Sequence, residues 1–267
     1  MKYTKLTIKI NSGEKPPYFV GSQLRGAFGY ALKKVTCINP KYDCIDCFAT
    51  TSCLYYEFYE ERNTYHKFRF DFNLALEKYE FNFYLFDSAV EKLPYILSAF
   101  INMLKENGLG KDKIKFDDFD IFINDELATN KGNITIPKDY IKIFEINSLA
   151  KNIQIEFETP LRIKKENRFL RDDEIELSTL INSTYQRQMK LLNRDFKKFP
   201  YQIQGDIIEK NLKYLRELKF DDYVGIFEKW RYNICKCVAV NISHNHSWRL
   251  CTDIQRRPYE IRYKKIL

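Results

Sequence analysis

The chain has 267 residues, of which 44 are Lys or Arg and 36 are Asp or Glu, so its formal net charge at pH 7 is +8. Hydrophobic residues make up 45% and aromatic residues 16%, a globular composition that excludes a disordered chain. No run approaches ~18 consecutive apolar residues and the first residues lack a signal-peptide core, so we expect no membrane span and a cytoplasmic protein. The basic excess favours a polyanionic partner.

The first half of the chain alternates strand and helix patterns. Ser22 is a candidate N-cap for the first helix, whose glycines Gly26 and Gly29 predict a close backbone approach to a sheet or a ligand. Gly108 or Gly110 is expected to end the second helix. The predicted strands cover 2–10, 67–76, 79–86 and 113–123, and the predicted helices cover 22–35 and 89–106. This βαββαβ order predicts an α+β, ferredoxin-like domain over residues 1–124.

The second half begins like another ferredoxin-like unit. We place a connector at 125–152, with a small hairpin near Ile134, and a second domain at 153–267. The predicted strands cover 153–159, 234–242 and 259–266, and the predicted helices cover 174–196 and 206–218. Because no clear second helix and final strand complete the order, this domain is interpreted as a divergent or incomplete ferredoxin-like domain.

Four cysteines lie in an insertion at 37–66 of the first domain, with the spacing C-x6-C-x2-C-x5-C: Cys37, Cys44, Cys47 and Cys53. A tetrahedral zinc ion is one interpretation, since Cys-x2-Cys is the usual knuckle. An iron–sulfur cluster is a second, and reduced, partly buried thiols are a third. Four protein ligands leave no open position, so a bound metal would fold the loop and take no part in catalysis.

Several stretches of the chain resemble segments of one protein family, and they occur in the same order as in that family. They are YFVGSQLRGAFGYALKKVTCINPKYDCIDCFATTSCLYY from Tyr18, LFDSAVEKLPYILSAFINMLKENGLGKDKIKFDDFDIF from Leu85, IQIEFETPLRIKKENRFL from Ile153 and LINSTYQRQMKLL from Leu180. The chain resembles the CRISPR-associated, precursor-crRNA-processing endoribonucleases of the RAMP superfamily (Cas family six). The family usually ends with a glycine-rich loop, whereas the last glycine here is Gly225.

The resemblance implies metal-independent RNA cleavage, in which a ribose 2′-hydroxyl attacks its own phosphodiester. This step needs a base, an acid and a cation, and histidine serves as base or acid near neutral pH. The chain has only His66, His244 and His246. His244 and His246 would share one face of a strand, as an acid–base pair or a metal-ligand pair, or would lie in a solvated loop.

The usual catalytic histidine of the family, in or after the first helix, has no counterpart here. Tyr30 and Lys33 stand in that segment, and we take them as further catalytic candidates. His66 lies at the end of the cysteine insertion, where the alternative to catalysis is a strand-edge side chain packed by Tyr65.

Basic residues form the predicted RNA-binding surface. They cluster on the first helix, beside the Thr-Pro turn, on the helix over 174–196 and near the end of the chain, where Trp248, Tyr259 and Tyr263 are available for base stacking. The candidates are Arg25, Lys34, Arg162, Lys164, Lys165, Arg168, Arg187, Lys190, Arg194, Arg249, Arg256 and Arg257. The alternative for each residue alone is a solvated surface charge.

The sequence therefore predicts a RAMP-type nuclease of antiviral defence that binds CRISPR repeat RNA, cleaves it within the repeat and needs no cofactor for catalysis. Other CRISPR effector subunits are further candidate partners. The alternative is a non-catalytic, RNA-binding RAMP subunit of a crRNA effector complex. A zinc-stabilised DNA-binding regulator is a third hypothesis, which leaves the ferredoxin-like order unexplained.

Overall fold

The computed structural model describes residues 1–62, 64–130, 133–144, 154–157, 164–165, 168–169, 176–192, 194–195, 199, 207–211, 236–240 and 261–264. The chain divides into two compact units, Met1–Phe144 and Glu145–Leu267, with the division inside the predicted connector. Among the described helices, none has the length and apolar character needed to cross a membrane.

The first unit has the ferredoxin-like order predicted from the sequence. Its main strands are Lys2–Ile10 (β1), Phe68–Asp71 (β2), Glu80–Phe86 (β3) and Phe119–Ile123 (β4), and its helices are Gly21–Thr36 (α1) and Leu93–Ile101 (α2). The sheet order is β2-β3-β1-β4, and every neighbouring pair is antiparallel. The predicted α+β, ferredoxin-like fold is therefore confirmed.

Short strands extend this unit beyond β4. They are Glu126–Leu127 (β5), Thr129–Asn130 (β6), Asn133–Ile134 (β7) and Lys142–Ile143 (β8). β6 and β7 form the hairpin predicted near Ile134. β8 pairs with the start of β1, which ties this part of the predicted connector to the first sheet.

Apolar and polar side chains alternate along the strands, so one face of the sheet is aliphatic and aromatic and the other is more polar. Leu6 and Ile8 of β1 are fully buried on one face, and the α1 residue Phe28 is likewise fully buried in the same core. The Phe28 ring centroid lies 4.7 Å from that of Phe100 in α2 and 4.9 Å from that of Phe83 in β3. Burial of such large apolar side chains is the main term that stabilises the unit.

The second helix is continued by irregular turns on both sides. A 3-10 segment, Asp87–Lys92, precedes α2, and a π-helical segment, Asn102–Asn107, follows it. The chain then leaves the helix at Gly108, whose backbone N–H donates to the Met103 carbonyl oxygen over 2.9 Å. The prediction that Gly108 or Gly110 ends this helix is confirmed at Gly108.

Several boundaries differ from the prediction. The strand predicted over 67–76 ends at Asp71, and the α-helices predicted over 89–106 and 174–196 are shorter, Leu93–Ile101 and Leu177–Leu191. α1 begins one residue before Ser22 because the Val20 carbonyl oxygen already accepts the Leu24 N–H over 2.9 Å, so Val20 is the N-cap and Ser22 lies inside the helix. The strand predicted over 113–123 begins only at Phe119, because Ile114 pairs with Leu109 across the turn after the helix.

The second unit shows parts of the same order. Its described elements are Gln154–Phe157 (β9), Lys164–Lys165 (β10), Arg168–Phe169 (β11), Leu177–Leu191 (α3), Ile207–Asn211 (β12), Lys236–Val240 (β13) and Ile261–Lys264 (β14). β9 pairs with β14, and β12 pairs with β13, both antiparallel. The described order of β9, α3, β12, β13 and β14 is part of a ferredoxin-like order, and residues 241–260 lie outside the described residues.

The helix predicted over 206–218 is wrong over Ile207–Asn211, which is strand β12. Its pattern of apolar and helix-favouring residues suggested a helix, but Ile207 pairs with Val240 and Lys210 with Val238 in the structure. Tertiary pairing with β13 overrides the local helix preference here.

Candidate functional site

The solvent side of α1 carries an exposed stripe of three residues at helical spacing, Gly26, Tyr30 and Lys34, which we call the outer stripe. Tyr30 is 66% exposed. A side chain at Gly26 would meet no other atom within 4 Å. Glycine costs about 1 kcal/mol relative to alanine in an exposed helix interior. No packing contact among the described residues explains why glycine is present at position 26. The missing side chain leaves the helix backbone open to the approach of a ligand.

A neighbouring side of α1 packs on two tyrosines that follow the cysteine loop. Arg25, Gly29 and Lys33 are spaced by four residues and lie along Tyr59 and Tyr55; we call these five residues the tyrosine seam. The Arg25 Cζ atom lies 4.7 Å from the Tyr59 ring centroid, and the Lys33 Nζ atom lies 4.9 Å from that of Tyr55. The two tyrosine rings are stacked, with centroids 5.4 Å apart and planes 6° apart.

The seam exists because the residues after the loop form a π-helical segment, Tyr56–Glu60. The Tyr59 hydroxyl donates to the Arg25 carbonyl oxygen over 2.8 Å, which ties this segment to α1. The Gly29 Cα faces the Tyr59 ring, and a Cβ there would lie only 2.6 Å from Tyr59 Cε1. The predicted close approach to a sheet or a ligand is therefore not what the structure shows: Gly29 lies against the side chain of Tyr59 in a helical segment, and Gly26 faces open space.

The two tyrosine hydroxyl groups of the seam are held in their neutral forms. Burial, and then the hydrogen bond that the Tyr55 hydroxyl donates to Glu60 Oε1 over 2.9 Å, raises the pKa of Tyr55 above its ordinary range. Burial also raises the pKa of Tyr59, and the Arg25 charge opposes this only in part. Both phenols are therefore protonated at neutral pH, and neither is suited to act as a general base.

Cys44 lies at the Lys33 end of the seam, close enough for the ammonium charge to act on the thiol. Burial raises the pKa of Cys44, and the attraction of Lys33 for the thiolate lowers it by less. A thiol with a raised pKa is a weak nucleophile. We therefore assign Cys44 no catalytic step.

His66 lies where the cysteine insertion meets β2. Its Nδ1 atom lies 3.2 Å from the Glu57 carbonyl oxygen, and its ring centroid lies 5.9 Å from that of Phe68. A carbonyl oxygen only accepts, so this contact requires the proton on Nδ1. The Nε2 atom of a neutral His66 then carries the lone pair that a general base needs. The Arg25 Cζ atom lies 5.3 Å from the same Phe68 ring, so one ring contacts both a candidate base and a candidate cation.

The four cysteines are half-buried and free of disulfides. The Cys37 thiol donates to the Asn39 carbonyl oxygen over 3.8 Å. Within the described ranges, no group of three or more His, Cys, Asp or Glu side chains is arranged to hold a metal ion. Zinc stays a prediction that metal analysis of the protein tests.

The basic candidates of the second unit occupy different environments. Arg187, predicted to join an exposed stripe, is only 4% exposed in α3, whereas Lys190 and Arg194 are exposed. Lys165 pairs with Arg168 between β10 and β11, so a short antiparallel ladder carries two of the basic candidates. Lys164 lies in β10 as well.

Several candidates fall outside the described residues. They are Arg162, His244, His246, Arg249, Arg256 and Arg257. Among the described candidates, the structure places Arg25 and His66 against Phe68, and it places Lys33 two helical turns further along the tyrosine seam, against Tyr55. It places Tyr30 and Lys34 on the outer stripe instead.

Sequence reasoning missed Tyr55 and Tyr59, which organise this site. Their spacing of four residues, matched to the spacing of Arg25, Gly29 and Lys33, was the available signal. The π-helical form of the segment was not predictable from that spacing, because a π turn is set by what the segment packs against.

The two glycines of α1 are expected to respond in opposite ways to alanine. Gly26→Ala should raise the free energy of unfolding by about 1 kcal/mol, since the position is exposed and helical. Gly29→Ala should lower it by about 1–3 kcal/mol, since the new methyl group overlaps the buried and stacked Tyr59 ring. Urea unfolding of the two variants beside the parent protein measures both changes. The same sign for both would contradict the described packing of α1.

Glu57 is expected to make the stability of the first unit depend on pH. Burial raises the pKa of Glu57, against the weaker opposing charge of Lys67. The folded state therefore binds this proton more tightly than the unfolded state, and the unit loses stability as pH rises through the folded pKa. Glu57→Gln should stabilise the protein at neutral pH by less than about 1 kcal/mol, because solvent screens a half-buried group. The gain should vanish near pH 4. Thermal melts at both pH values test this, and an equal gain at both would contradict it.

Comparison with known proteins places this chain in a family. The family model AF_1859_N, described as an N-terminal domain, matches residues 1–134, which is half of the chain. No curated protein matches the chain. Among solved structures, a Cas6 product complex has a TM-score of 0.50 at 14% identity, covering 94% of this chain and 87% of its own.

Two further solved structures are similar at lower scores. A CRISPR-associated Cas6 protein has a TM-score of 0.41 at 14% identity, covering 90% of this chain and 87% of its own. A Cas6-related protein from Pyrococcus furiosus has a TM-score of 0.41 at 10% identity, covering 97% of each chain. The fold assignment rests on the match at 0.50 and on the topology of the first unit. The chain belongs to the AF_1859_N N-terminal domain family, and its fold is that of a Cas6-like RAMP protein.

Proposed function

We propose that this chain binds precursor CRISPR RNA and cleaves it within the repeat by a metal-independent attack of a ribose 2′-hydroxyl. The observation that carries the proposal is the outer stripe of α1, a surface of the Cas6-like fold that presents an aromatic ring and an ammonium group beside a bare helix backbone. Base stacking on Tyr30 and phosphate contact at Lys34 suit single-stranded RNA. The net charge of +8 supports a polyanionic ligand.

The reaction requires three groups around the scissile phosphate. A base removes the 2′-OH proton, the 2′ oxygen forms a bond to phosphorus, and the bond from phosphorus to the 5′ oxygen breaks as an acid protonates that oxygen. The products are a 2′,3′-cyclic phosphate and a 5′-hydroxyl. His66 is our candidate base through Nε2, with Lys33 or Arg25 as the cation that stabilises the phosphorane. His244, His246 and Tyr30 remain candidates for the acid.

The test is cleavage of a CRISPR repeat RNA in excess EDTA, beside copies with a 2′-deoxy nucleotide at each candidate cleavage position. We expect one discrete cut that a single deoxy substitution abolishes. The 3′ end of the upstream product should resist a ligase that requires a 3′-hydroxyl until the cyclic phosphate has been opened and the resulting phosphate removed. Tight binding with the RNA left intact would contradict cleavage and favour the non-catalytic RAMP subunit. Absence of binding at low salt would contradict the whole proposal.

The outer stripe has its own test within this proposal. Tyr30→Ala with Lys34→Ala should weaken RNA binding without loss of stability, because both side chains are exposed. Lys92→Ala is a matched control, since Lys92 is an exposed lysine at the end of the 3-10 segment before α2. Equal loss of affinity from the control would show that binding follows net charge alone.

A further inference from the structure

The composition of α1 selects the charge of the molecule that its solvent side takes. The helix contains Arg25, Lys33 and Lys34, and it contains no Asp or Glu. Its outer stripe combines the 66% exposed Tyr30 with the exposed Lys34. Among the described residues outside the helix backbone, no atom lies within 4 Å of the place where a Gly26 side chain would begin. An anion that also carries a flat ring complements this surface.

Gly26 uncovers a hydrogen-bond acceptor of the helix backbone. A helical side chain leans toward the N-terminus and covers the turn before its own Cα atom, so a side chain at position 26 would lie over the Gln23 carbonyl oxygen. The Gln23 side chain is held elsewhere, because the Tyr79 hydroxyl donates to Gln23 Oε1 over 3.2 Å. A backbone carbonyl oxygen has two lone pairs, and the bond within the helix uses one. A donor that enters the gap at Gly26 can use the other.

We infer that the outer stripe holds one unpaired ribonucleotide and reads its ribose, an inference that rests on the proposed binding of RNA. The base stacks on Tyr30, a phosphate contacts Lys34, and the ribose 2′-hydroxyl donates to the Gln23 carbonyl oxygen through the gap at Gly26. Gly26, Tyr30 and Lys34 follow one another at intervals of about 6 Å along the helix, so the ribose, base and phosphate each meet one position. DNA lacks the donor, so the stripe favours RNA over DNA.

The 2′-hydroxyl that the stripe reads is not the one that attacks phosphorus. The candidate base His66 contacts the ring of Phe68, a core residue of β2. The core side of α1 faces the same ring, since the Phe28 and Phe68 centroids lie 6.3 Å apart. Gly26 lies about 200° around the helix axis from Phe28, on the solvent side. The two hydroxyl groups therefore belong to different nucleotides, and binding and cleavage depend on different positions of the RNA.

The test measures binding of a CRISPR repeat RNA to the full chain in excess EDTA. A 2′-deoxy nucleotide at the cleavage position keeps the RNA intact, and a 2′-fluoro nucleotide replaces each other ribonucleotide in turn. Fluorine removes the donor and keeps the ribose pucker, so it separates hydrogen bonding from sugar shape. We expect an unpaired position whose 2′-fluoro form binds about 2- to 10-fold more weakly, the effect of one lost hydrogen bond.

Gly26→Leu and Gly13→Leu form the matched pair of variants. A leucine at position 26 fills the gap, whereas Gly13 is an exposed glycine outside α1 where a Cβ also meets nothing within 4 Å. Gly26→Leu should weaken binding of the unsubstituted RNA about tenfold and abolish the 2′-fluoro effect, and Gly13→Leu should change neither. Thermal unfolding should show that Gly26→Leu is at least as stable as the parent, because leucine favours a helix more than glycine does. Gly26→Ala should give an intermediate loss of binding.

The outcomes separate this inference from the proposed cleavage. A 2′-fluoro loss that survives Gly26→Leu overturns the inference, and so does the absence of any loss outside the cleavage position. A repeat RNA that stays uncut although the loss coupled to Gly26 is present contradicts the cleavage alone and supports the reading of ribose. RNA that does not bind at low salt overturns both.

Discussion

Alanine at His66, His244 and His246 together is expected to slow cleavage of the CRISPR repeat RNA by about 10²–10⁴-fold, with RNA binding nearly unchanged. These are all the histidines of the chain, and general acid or base catalysis by one side chain contributes a factor of that size. Binding should persist because the proposed affinity for RNA comes mainly from phosphate contacts of Lys and Arg and from stacking on aromatic rings such as Tyr30. Single-turnover cleavage and filter binding on the same preparation separate the two effects.

The single variants identify the role of each histidine. His66→Ala should remove the acidic limb of the pH–rate profile if its Nε2 atom is the base, since the rate then depends on a neutral imidazole. His66→Asn is the structural control, because an amide nitrogen can keep the hydrogen bond to the Glu57 carbonyl oxygen. Full cleavage by the triple variant would exclude histidine catalysis and direct attention to Tyr30 and Lys33. Equal loss of cleavage and of stability in His66→Ala, with recovery of both in His66→Asn, would make His66 structural.

The order of strands and helices in the first unit was predictable because each segment has a local hydrophobic pattern that fits one type of element. The strict alternation in β1 and the Leu24, Phe28 and Leu32 spacing in α1 each fit one period only. The same reasoning failed at Ile207–Asn211, where the pattern also suits a helix and the partner strand decides. Hydrophobic periodicity identifies a helix or a strand when only one face of the segment is buried. It does not do so when pairing with a strand distant in the sequence decides the conformation.

The candidate site was predictable only in its parts. Arg25, Lys33 and His66 were named from residue type. The contacts of Arg25 with Tyr59 and of Lys33 with Tyr55 depend on how a π-helical segment packs, which no local pattern indicates. The cysteine spacing predicted a metal ligand set, yet spacing fixes only which thiols can reach one another. The described loop instead turns Ile45 and Phe48 outward, and this exposure is a property of the folded loop.

Gly108→Ala is expected to cost the first unit about 2–6 kcal/mol, a large part of the stability of an ordinary domain. Gly108 has φ 73° and ψ 170°, a region that is essentially restricted to glycine. A Cβ there would also lie 2.1 Å from the Lys113 carbonyl oxygen, and that atom belongs to the backbone of the turn that pairs Leu109 with Ile114. Neither the strain nor the overlap is relieved by rotating a side chain, so the turn itself must move.

Gly110→Ala is the matched control for this turn. Gly110 also has a positive φ, 79°, but its Cβ would meet only the Gln23 Nε2 atom, at 2.8 Å, and that side-chain end can rotate away. We expect a loss of about 1 kcal/mol from the backbone alone. Urea unfolding of both variants measures the difference. Equal losses would mean that strain at positive φ, and not contact with the Lys113 backbone, explains the glycine at Gly108. A stable Gly108→Ala variant would show that the turn is not the rigid end of the second helix.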